Sequence, residues 1–375
     1  MKIMMYCQHV LGIGHFFRSM EIAGAMDRHE VLFVEGGDPL PGFVPPAHVK
    51  RLALPSMMMD PEFKALDARG DDLEAVKARR AELLMESFSR FAPDVLITEL
   101  FPFGRRQFRF ELMPILKKIR AERLPTKVVC SLRDILVEKP NQATYEENVL
   151  AILNDYFDLL LIHSDPKLIP LDESFTRVGD IRVPVEYTGF VVRKPHEPPE
   201  ERDGKVIVLS SGGGRVGVDL LASAIMATTS MRDEDLDIRV FLGPFMEEED
   251  RAYLADCAAG DPRVSLLPFS LDFLSELSRA DLSVSMAGYN TCMDILASGI
   301  KALVYPFPQN QEQTLRAMRL ESAGYLQMIH SLAVESLYVS MHTTLDTFRM
   351  PPHMELDLSG ARNTALVIEK RFGGS

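Results

Sequence analysis

The chain has no tryptophan, and its four cysteines (Cys7, Cys130, Cys257 and Cys292) lie far apart with no C-x-x-C among them. That pattern excludes a disulfide framework and a cysteine zinc site, and it fits a reducing cytoplasm. Long hydrophobic runs are missing as well. No stretch approaches the roughly 18 apolar residues of a membrane span, and Gln8, His9, His15 and Arg18 interrupt any signal-peptide core behind Lys2. Positive charge is short: 41 Lys+Arg against 54 Asp+Glu leave a net charge of −13. A nucleic-acid binder profits from the opposite balance, because basic side chains release counterions from phosphate, so no nucleic-acid partner is expected. These absences leave a soluble cytoplasmic protein that at most sits on a membrane surface.

What is present is an α/β pattern repeated twice. At 375 residues and 46% hydrophobic, the chain is long enough for two cores. Lys2–Gln8 reads as a buried strand, a Gly-rich turn follows, and Phe16–Met26 has helical spacing. Glu30–Glu35, Asp94–Leu100 and Lys127–Leu132 are further apolar strands. The stretch RKPHEPPEERDG at 193–204 breaks the alternation with three prolines and many charges, the composition of a linker. The pattern then restarts with strands Lys205–Leu209, Asp237–Leu242, Val264–Leu267, Leu282–Ser285 and Lys301–Tyr305. Helices are expected from about Val216 and over Asp272–Arg279 and Thr291–Ser298. The expectation is two Rossmann-like doubly wound domains, 1–192 and 205–350, facing across a cleft, with a C-terminal helix in 351–375 crossing back to the first.

Ligands of such sheets bind where strands end and helices begin. After the strand Val206–Leu209 comes SSGGGRVG, in which Gly212, Gly214 and Gly217 satisfy G-x-G-x-x-G. A nicotinamide fingerprint also wants an acidic residue closing the next strand, and DIRVFLG ends at Leu242-Gly243-Pro244 with none. No Gly-Lys-Ser/Thr follows, so this is not a P-loop. A glycine backbone at a helix N-terminus still presents free N–H groups to a diphosphate, although the same glycines would also serve a tight turn.

The next informative loop reads MAGYNTCMDILASG at 286–299 and runs on through a strand to EQTLRA at 312–317. Here the sequence resembles the GT-B nucleotide-sugar glycosyltransferases, including the lipid II-forming N-acetylglucosaminyltransferases of peptidoglycan synthesis and a group of bacterial proteins predicted to be glycosyltransferases. Gly288-Tyr289-Asn290-Thr291-Cys292-Met293-Asp294 looks like their G-x-N-S/T-x-x-E/D, Gly299 like the glycine closing that helix, and Glu312-Gln313-x-x-Arg316-Ala317 like their D/E-Q-x-x-N-A. HVLGIGHFFRS, with Gly14 and His15, resembles their G-x-G-H turn.

The resemblance implies a donor site. Asp294 would hydrogen-bond the ribose, though Thr291-x-x-Asp294 also reads as a helix capping box. Glu312 and Gln313 would meet sugar hydroxyls; Ser211, Gly212, Gly213 and Gly214, with Gly288 and Asn290, would face the pyrophosphate; and Phe269 would lie at the uracil edge. Met286 stands where many relatives carry a phosphate-binding histidine.

His15, at the end of the first βα turn, is the candidate base, because a histidine can take a proton from a sugar hydroxyl near neutral pH. Glu99 and Asp134, at strand carboxyl ends, are alternative bases. Residues 105–133 hold nine Lys or Arg and two Glu. Arg105, Arg106 and Arg133 of this island would bind an anionic or lipid-linked acceptor, with Phe101, Phe103, Phe108 and Phe110 touching lipid; buried aromatics beside solvated arginines is the plainer reading.

The function expected is inverting, metal-independent transfer of a hexose or N-acetylhexosamine from a UDP-sugar to an acceptor hydroxyl in cell-envelope glycan synthesis. No cofactor beyond the donor is expected. The D-x-D at Asp235-Leu236-Asp237 precedes a strand at the wrong edge for a metal-dependent transferase. A UDP-sugar 2-epimerase of the same fold, or a nucleotide-sugar-binding subunit without activity, are the alternatives.

Overall fold

The structure, a computed structural model, describes residues 1–9, 14–38, 42–59, 66–68, 72–193, 204–231, 235–349, 351 and 356–374. Most of the expected linker, 194–203, and residues 10–13 of the first turn lie outside them. The chain divides into two compact units, Met1–Val191 together with Leu356–Ser375, and Val192–Glu355.

Unit 1 runs β1 (Lys2–Cys7), α1 (Gly14–Gly24), β2 (Glu30–Glu35), β3 (Val49–Ala53), a short antiparallel pair β4 (Met58–Met59) and β5 (Leu66–Asp67), α2 (Leu73–Phe91), β6 (Val95–Glu99), α3 (Arg109–Ala121), β7 (Lys127–Arg133), α4 (Gln142–Tyr156), β8 (Leu159–His163) and β9 (Val185–Tyr187). Among the described residues its main sheet has seven parallel strands in the order β3-β2-β1-β6-β7-β8-β9. Strands such as LLLIH in β8 and VLITE in β6 are buried along their whole length, as expected of a parallel sheet covered on both faces.

Unit 2 repeats the plan with β10 (Lys205–Ser210), α5 (Val218–Thr229), β11 (Leu236–Phe241), α6 (Glu248–Ala258), β12 (Val264–Leu267), α7 (Phe273–Ser278), β13 (Leu282–Met286), α8 (Tyr289–Ser298), β14 (Lys301–Tyr305), α9 (Gln311–Ser322), β15 (Gln327–Met328) and α10 (Val334–Thr347). Its parallel strands order as β12-β11-β10-β13-β14-β15. The last helix, α11 (Gly360–Phe372), belongs to unit 1 and packs on α1. Ahead of it, Ser359 bridges Val191, and Gly360 donates its N–H to the Phe190 carbonyl at 3.0 Å.

The strands and helices read from the sequence are present, with ends moved by one or two residues: Asp94–Leu100 is realised as Val95–Glu99, Asp237–Leu242 as Leu236–Phe241, and the first helix starts at Gly14 instead of Phe16. Asp237 of the D-x-D lies inside β11, where Arg239 pairs with it at 2.8 Å.

In both sheets the order reverses beside the first strand, between β1 and β6 and between β10 and β13. Chains leaving adjacent strands at such a point turn to opposite faces and open a crevice at the strand C-termini. In unit 1 a buried arginine fixes the loops near this point. Arg80 of α2, 0% exposed, donates to Glu111 of α3 through Nε (2.9 Å) and Nη2 (2.7 Å), to Gln8 Oε1 (2.7 Å) after β1, and to the carbonyls of Gly36 (3.0 Å) and Pro55 (2.7 Å) after β2 and β3. Tyr6 donates its hydroxyl to the same Glu111.

Candidate functional site

At the unit 1 reversal, His15 enters from the first turn of α1 and Glu99 from the end of β6. Nδ1 of His15 lies 2.6 Å from Glu99 Oε1. Arg18, one turn further along α1, donates to that same oxygen, and Arg105 Nε stands 3.8 Å from Oε2. Burial pushes the Glu99 carboxyl up, but His15, Arg18 and Arg105 outweigh it and hold the group well below the usual carboxylate range. Burial pushes the His15 imidazole down to about 3, with Arg105 and Arg18 adding to the effect against Glu99. Arg18 Nη2 also lies 3.2 Å from Nδ1, but the shorter contact with an ionised carboxylate places the imidazole proton on Nδ1, and Arg18 then donates to the carboxylate. The lone pair is then on Nε2, the tautomer a general base needs.

This geometry corrects the reading of Glu99 as an alternative base. Its side chain is 0% exposed, against 19% for His15, so it orients the histidine and does not meet a substrate. Asp134 is also fully buried and accepts from the N–H of Ile135 at 2.9 Å, which places it in the backbone turn after β7. Cys7 donates its thiol to the His15 carbonyl at 3.5 Å, and burial pushes that thiol up to about 12, so it stays protonated. His163, at the end of β8, was missed. It is buried between Ser131 Oγ (2.7 Å) and Thr188 Oγ1 (2.8 Å), and burial lowers its imidazole to about 3.

The basic island divides by burial. Phe101, Phe103 and Phe108 are core residues and do not touch lipid, while Phe110 is half-buried against the Met57–Phe108 cluster. Arg105 turns toward Glu99 instead of an acceptor. Arg106 is exposed, and Arg133, the last residue of β7, and Lys139 beyond it are half-buried. Burial, then the charges of Arg106 and Arg133, lower the Lys139 ammonium. Lys139 carries no sequence signal, because only the turn after β7 brings it to the two arginines.

At the unit 2 reversal two helices begin without a side-chain cap. Gly217 is the N-cap of α5 and Gly288 that of α8; α3, α6, α7, α10 and α11 likewise start without a side-chain cap, whereas α2, α4 and α9 are capped by Asp72, Asn141 and Asn310. First-turn N–H groups left without a side-chain acceptor, with the positive end of the helix dipole, suit an anion. The glycines of SSGGGRVG then separate by role. Gly214 (φ +86°) packs backbone to backbone on the loop after β11: a Cβ there would stand 2.8 Å from Gly243 Cα. Gly212 (φ +67°) faces open space, and both it and Gly213 are exposed. Ser210 and Ser211 beside them, with Ser283 and Ser285 of β13, bury hydroxyls that have no hydrogen-bond partner.

Gly288 as N-cap overturns the capping box, because Thr291 already lies inside α8. Asp294 is buried and paired with Arg193 through both carboxylate oxygens, one of them 3.2 Å from Nε. Burial pushes the Asp294 carboxyl up while Arg193 opposes it. Arg193 also reaches the Leu271 carbonyl at 3.3 Å, on the loop that holds half-buried Phe269. Gly299 (φ +69°) closes α8, as its likeness to the closing glycine implies.

Glu312 and Gln313 make local contacts. Glu312 pairs with buried Arg316 at 2.7 Å, Arg316 lies over the Tyr289 ring, and Gln313 accepts from the Phe307 N–H at 2.9 Å. Asn290 and Thr291 are half-buried in the first turn of α8. Among the described residues, no group of three or more His, Cys, Asp or Glu could hold a metal ion, and no helix is long and apolar enough to cross a membrane.

Residues 211–353 match the glycosyltransferase family 28 C-terminal domain. The UDP-N-acetylglucosamine–N-acetylmuramyl-(pentapeptide) pyrophosphoryl-undecaprenol N-acetylglucosamine transferase of Vibrio campbellii is 31% identical over 147 residues, 38% of this chain and 40% of that protein. The chain spans about two fifths of the length of the curated relatives it matches. A putative UDP-N-acetylglucosamine 2-epimerase from Listeria monocytogenes shares the fold at TM-score 0.68 and 14% identity, over 100% of this chain and 97% of that one. MurG of Acinetobacter baumannii shares it at TM-score 0.53 and 16% identity, over 99% and 95%. The match to the glycosyltransferase family 28 C-terminal domain thus falls within unit 2, in a chain with the two α/β units of the GT-B fold.

Proposed function

We propose that the protein transfers a hexose or N-acetylhexosamine from a UDP-sugar to an acceptor hydroxyl, with inversion, in the synthesis of a cell-envelope glycan. The observation that carries this reading is the pair of uncapped helix N-termini at the β10/β13 reversal, with Gly212 and Gly213 open between them. The diphosphate of the donor would accept from these backbone groups, and the charge that grows on its β-phosphate as the sugar leaves would meet preorganised dipoles. No metal is needed for that step. In unit 1, Nε2 of His15 would take the proton of the acceptor hydroxyl as its oxygen attacks the anomeric carbon from the face opposite UDP. Arg106, Arg133 and Lys139 suit an anionic group on a lipid-linked acceptor.

The test is thermal stabilisation by UDP, GDP, dTDP, ADP and NAD, each with EDTA. A ligand at about one hundred times its Kd adds roughly 2.7 kcal/mol, a shift of several degrees for a domain of this size. Stabilisation by UDP that Gly212→Val abolishes supports the reading. Stabilisation by NAD alone overturns it, and conversion of UDP-N-acetylglucosamine to its 2-epimer without acceptor would make the protein an epimerase.

A further inference from the structure

Glu99 accepts from two donors at one oxygen. His15 Nδ1 and Arg18 Nη2 converge on Oε1, and Arg105 stands off Oε2 at ion-pair distance. Glu99 and Arg18 are buried and Arg105 is 10% exposed, so water screens little of this charge. The groups facing His15 come from three directions: Arg18 on its own helix, Cys7 from β1, and Glu99 and Arg105 from β6 and the loop after it. With the thiol neutral, two guanidinium groups and one carboxylate leave an excess of one positive charge around a neutral imidazole. Protonating His15 would bury a second. Burial is the first cause of the neutral imidazole, and a carboxylate facing the histidine alone would oppose it, because that ion pair would be balanced.

We propose that Arg18 is the positioning residue of this site: by sharing Glu99 Oε1 with His15 it keeps the carboxylate ionised and the imidazole neutral with its proton on Nδ1, so that Nε2 stands ready to accept. Arg105 is the second source of the excess charge, acting from the other oxygen. The proposal rests on the reading of His15 as the base, but its physical content concerns the free protein.

The test is NMR of the full-length protein labelled with 15N-histidine, from pH 4.5 to 8.5. His15 is assigned by its disappearance in His15→Gln. In the wild type, the His15 nitrogens should show a neutral Nδ1–H tautomer that does not titrate across this range. In Arg18→Met the midpoint should rise by roughly 2–3 pH units, into this range, and further in Arg18→Met/Arg105→Met, with a mixed tautomer at high pH. Arg18→Lys, which keeps the charge, should restore most of the wild-type behaviour. Arg105→Met leaves the shared hydrogen bond intact and should raise the midpoint alone, which keeps the test open if Arg18→Met does not fold.

An Nε2–H tautomer in the wild type, or midpoints that stay put in both single variants, would overturn the proposal. None of these readouts needs a substrate. Absence of UDP stabilisation with these shifts intact would sink the donor reading and leave Arg18 in its role.

Discussion

Replacing Arg80 by methionine should be among the most damaging single substitutions in unit 1. The methionine fills much of the volume of the arginine stem, so little cavity is created and the loss is electrostatic. Glu111, 1% exposed, loses both guanidinium hydrogen bonds, and Gln8, Gly36 and Pro55 each lose a donor. Breaking a buried ion pair from one side costs about 3–5 kcal/mol. Taking about 4 kcal/mol, a unit of this size should melt roughly 8–16 °C lower. The assay is calorimetry combined with hydrogen exchange of the β1 and β6 amides, which reports unit 1 separately. A companion variant, Arg80→Met/Glu111→Leu/Tyr6→Phe, removes the stranded charge and the hydroxyl that depends on it. It should recover most of the loss, because an apolar replacement of a whole buried pair is often neutral. A single variant within about 1 kcal/mol of wild type, below that range, would refute the reasoning, as would a triple variant no more stable than the single one.

Gly214→Ala should destabilise unit 2 strongly, since its Cβ meets the Gly243 backbone. Gly212→Ala carries only the strain of its positive φ, about 1 kcal/mol, yet should weaken UDP; equal melting losses in the two variants would contradict the division of roles. Arg193→Met should tighten UDP binding measured by calorimetry, because the guanidinium on Asp294 competes with a ribose diol. An unchanged Kd would remove Asp294 from the donor site. His15 and His163 both have imidazoles lowered to about 3 in the folded protein, against about 6.5 in an unfolded chain. Their stabilisation is complete above about pH 6.5 and is lost as pH falls toward 3, by about 1.4 kcal/mol per pH unit for each group. Urea midpoints at pH 7.5, 6 and 5 should therefore fall, and His163→Gln should reduce the slope; a pH-independent midpoint would contradict both burials.

Apolar runs such as VIVLS and DVLITEL announced parallel strands, whereas LLLIH of β8 was not singled out. The pairings across the fold were not legible. His15 and Glu99 are 84 residues apart, and Arg193 and Asp294 are 101 apart, so neither the orienting role of Glu99 nor the partner of Asp294 leaves a local trace. Local spacing also misled at Thr291-x-x-Asp294, which has the form of a capping box but sits one turn too far into α8. In FPFGRRQFRF the composition was compatible with a lipid contact, and only the burial of Phe101, Phe103 and Phe108 assigned those rings to the core. Arg18 stood in plain view three residues after His15, but its meaning depends on an oxygen contributed by β6.

The chain leaves unit 1 after Val191 and rejoins it at Leu356, and Val191 and Ser359 bridge the two segments side by side. Unit 2 is in this sense an insertion within unit 1, and the order of synthesis differs from the order of completion. On the ribosome the first unit must wait, without α11 and its cover over α1, until the whole of the second has been made. The second unit can close first, although it is encoded later. Truncating the last helix should therefore injure the unit at the opposite end of the sequence.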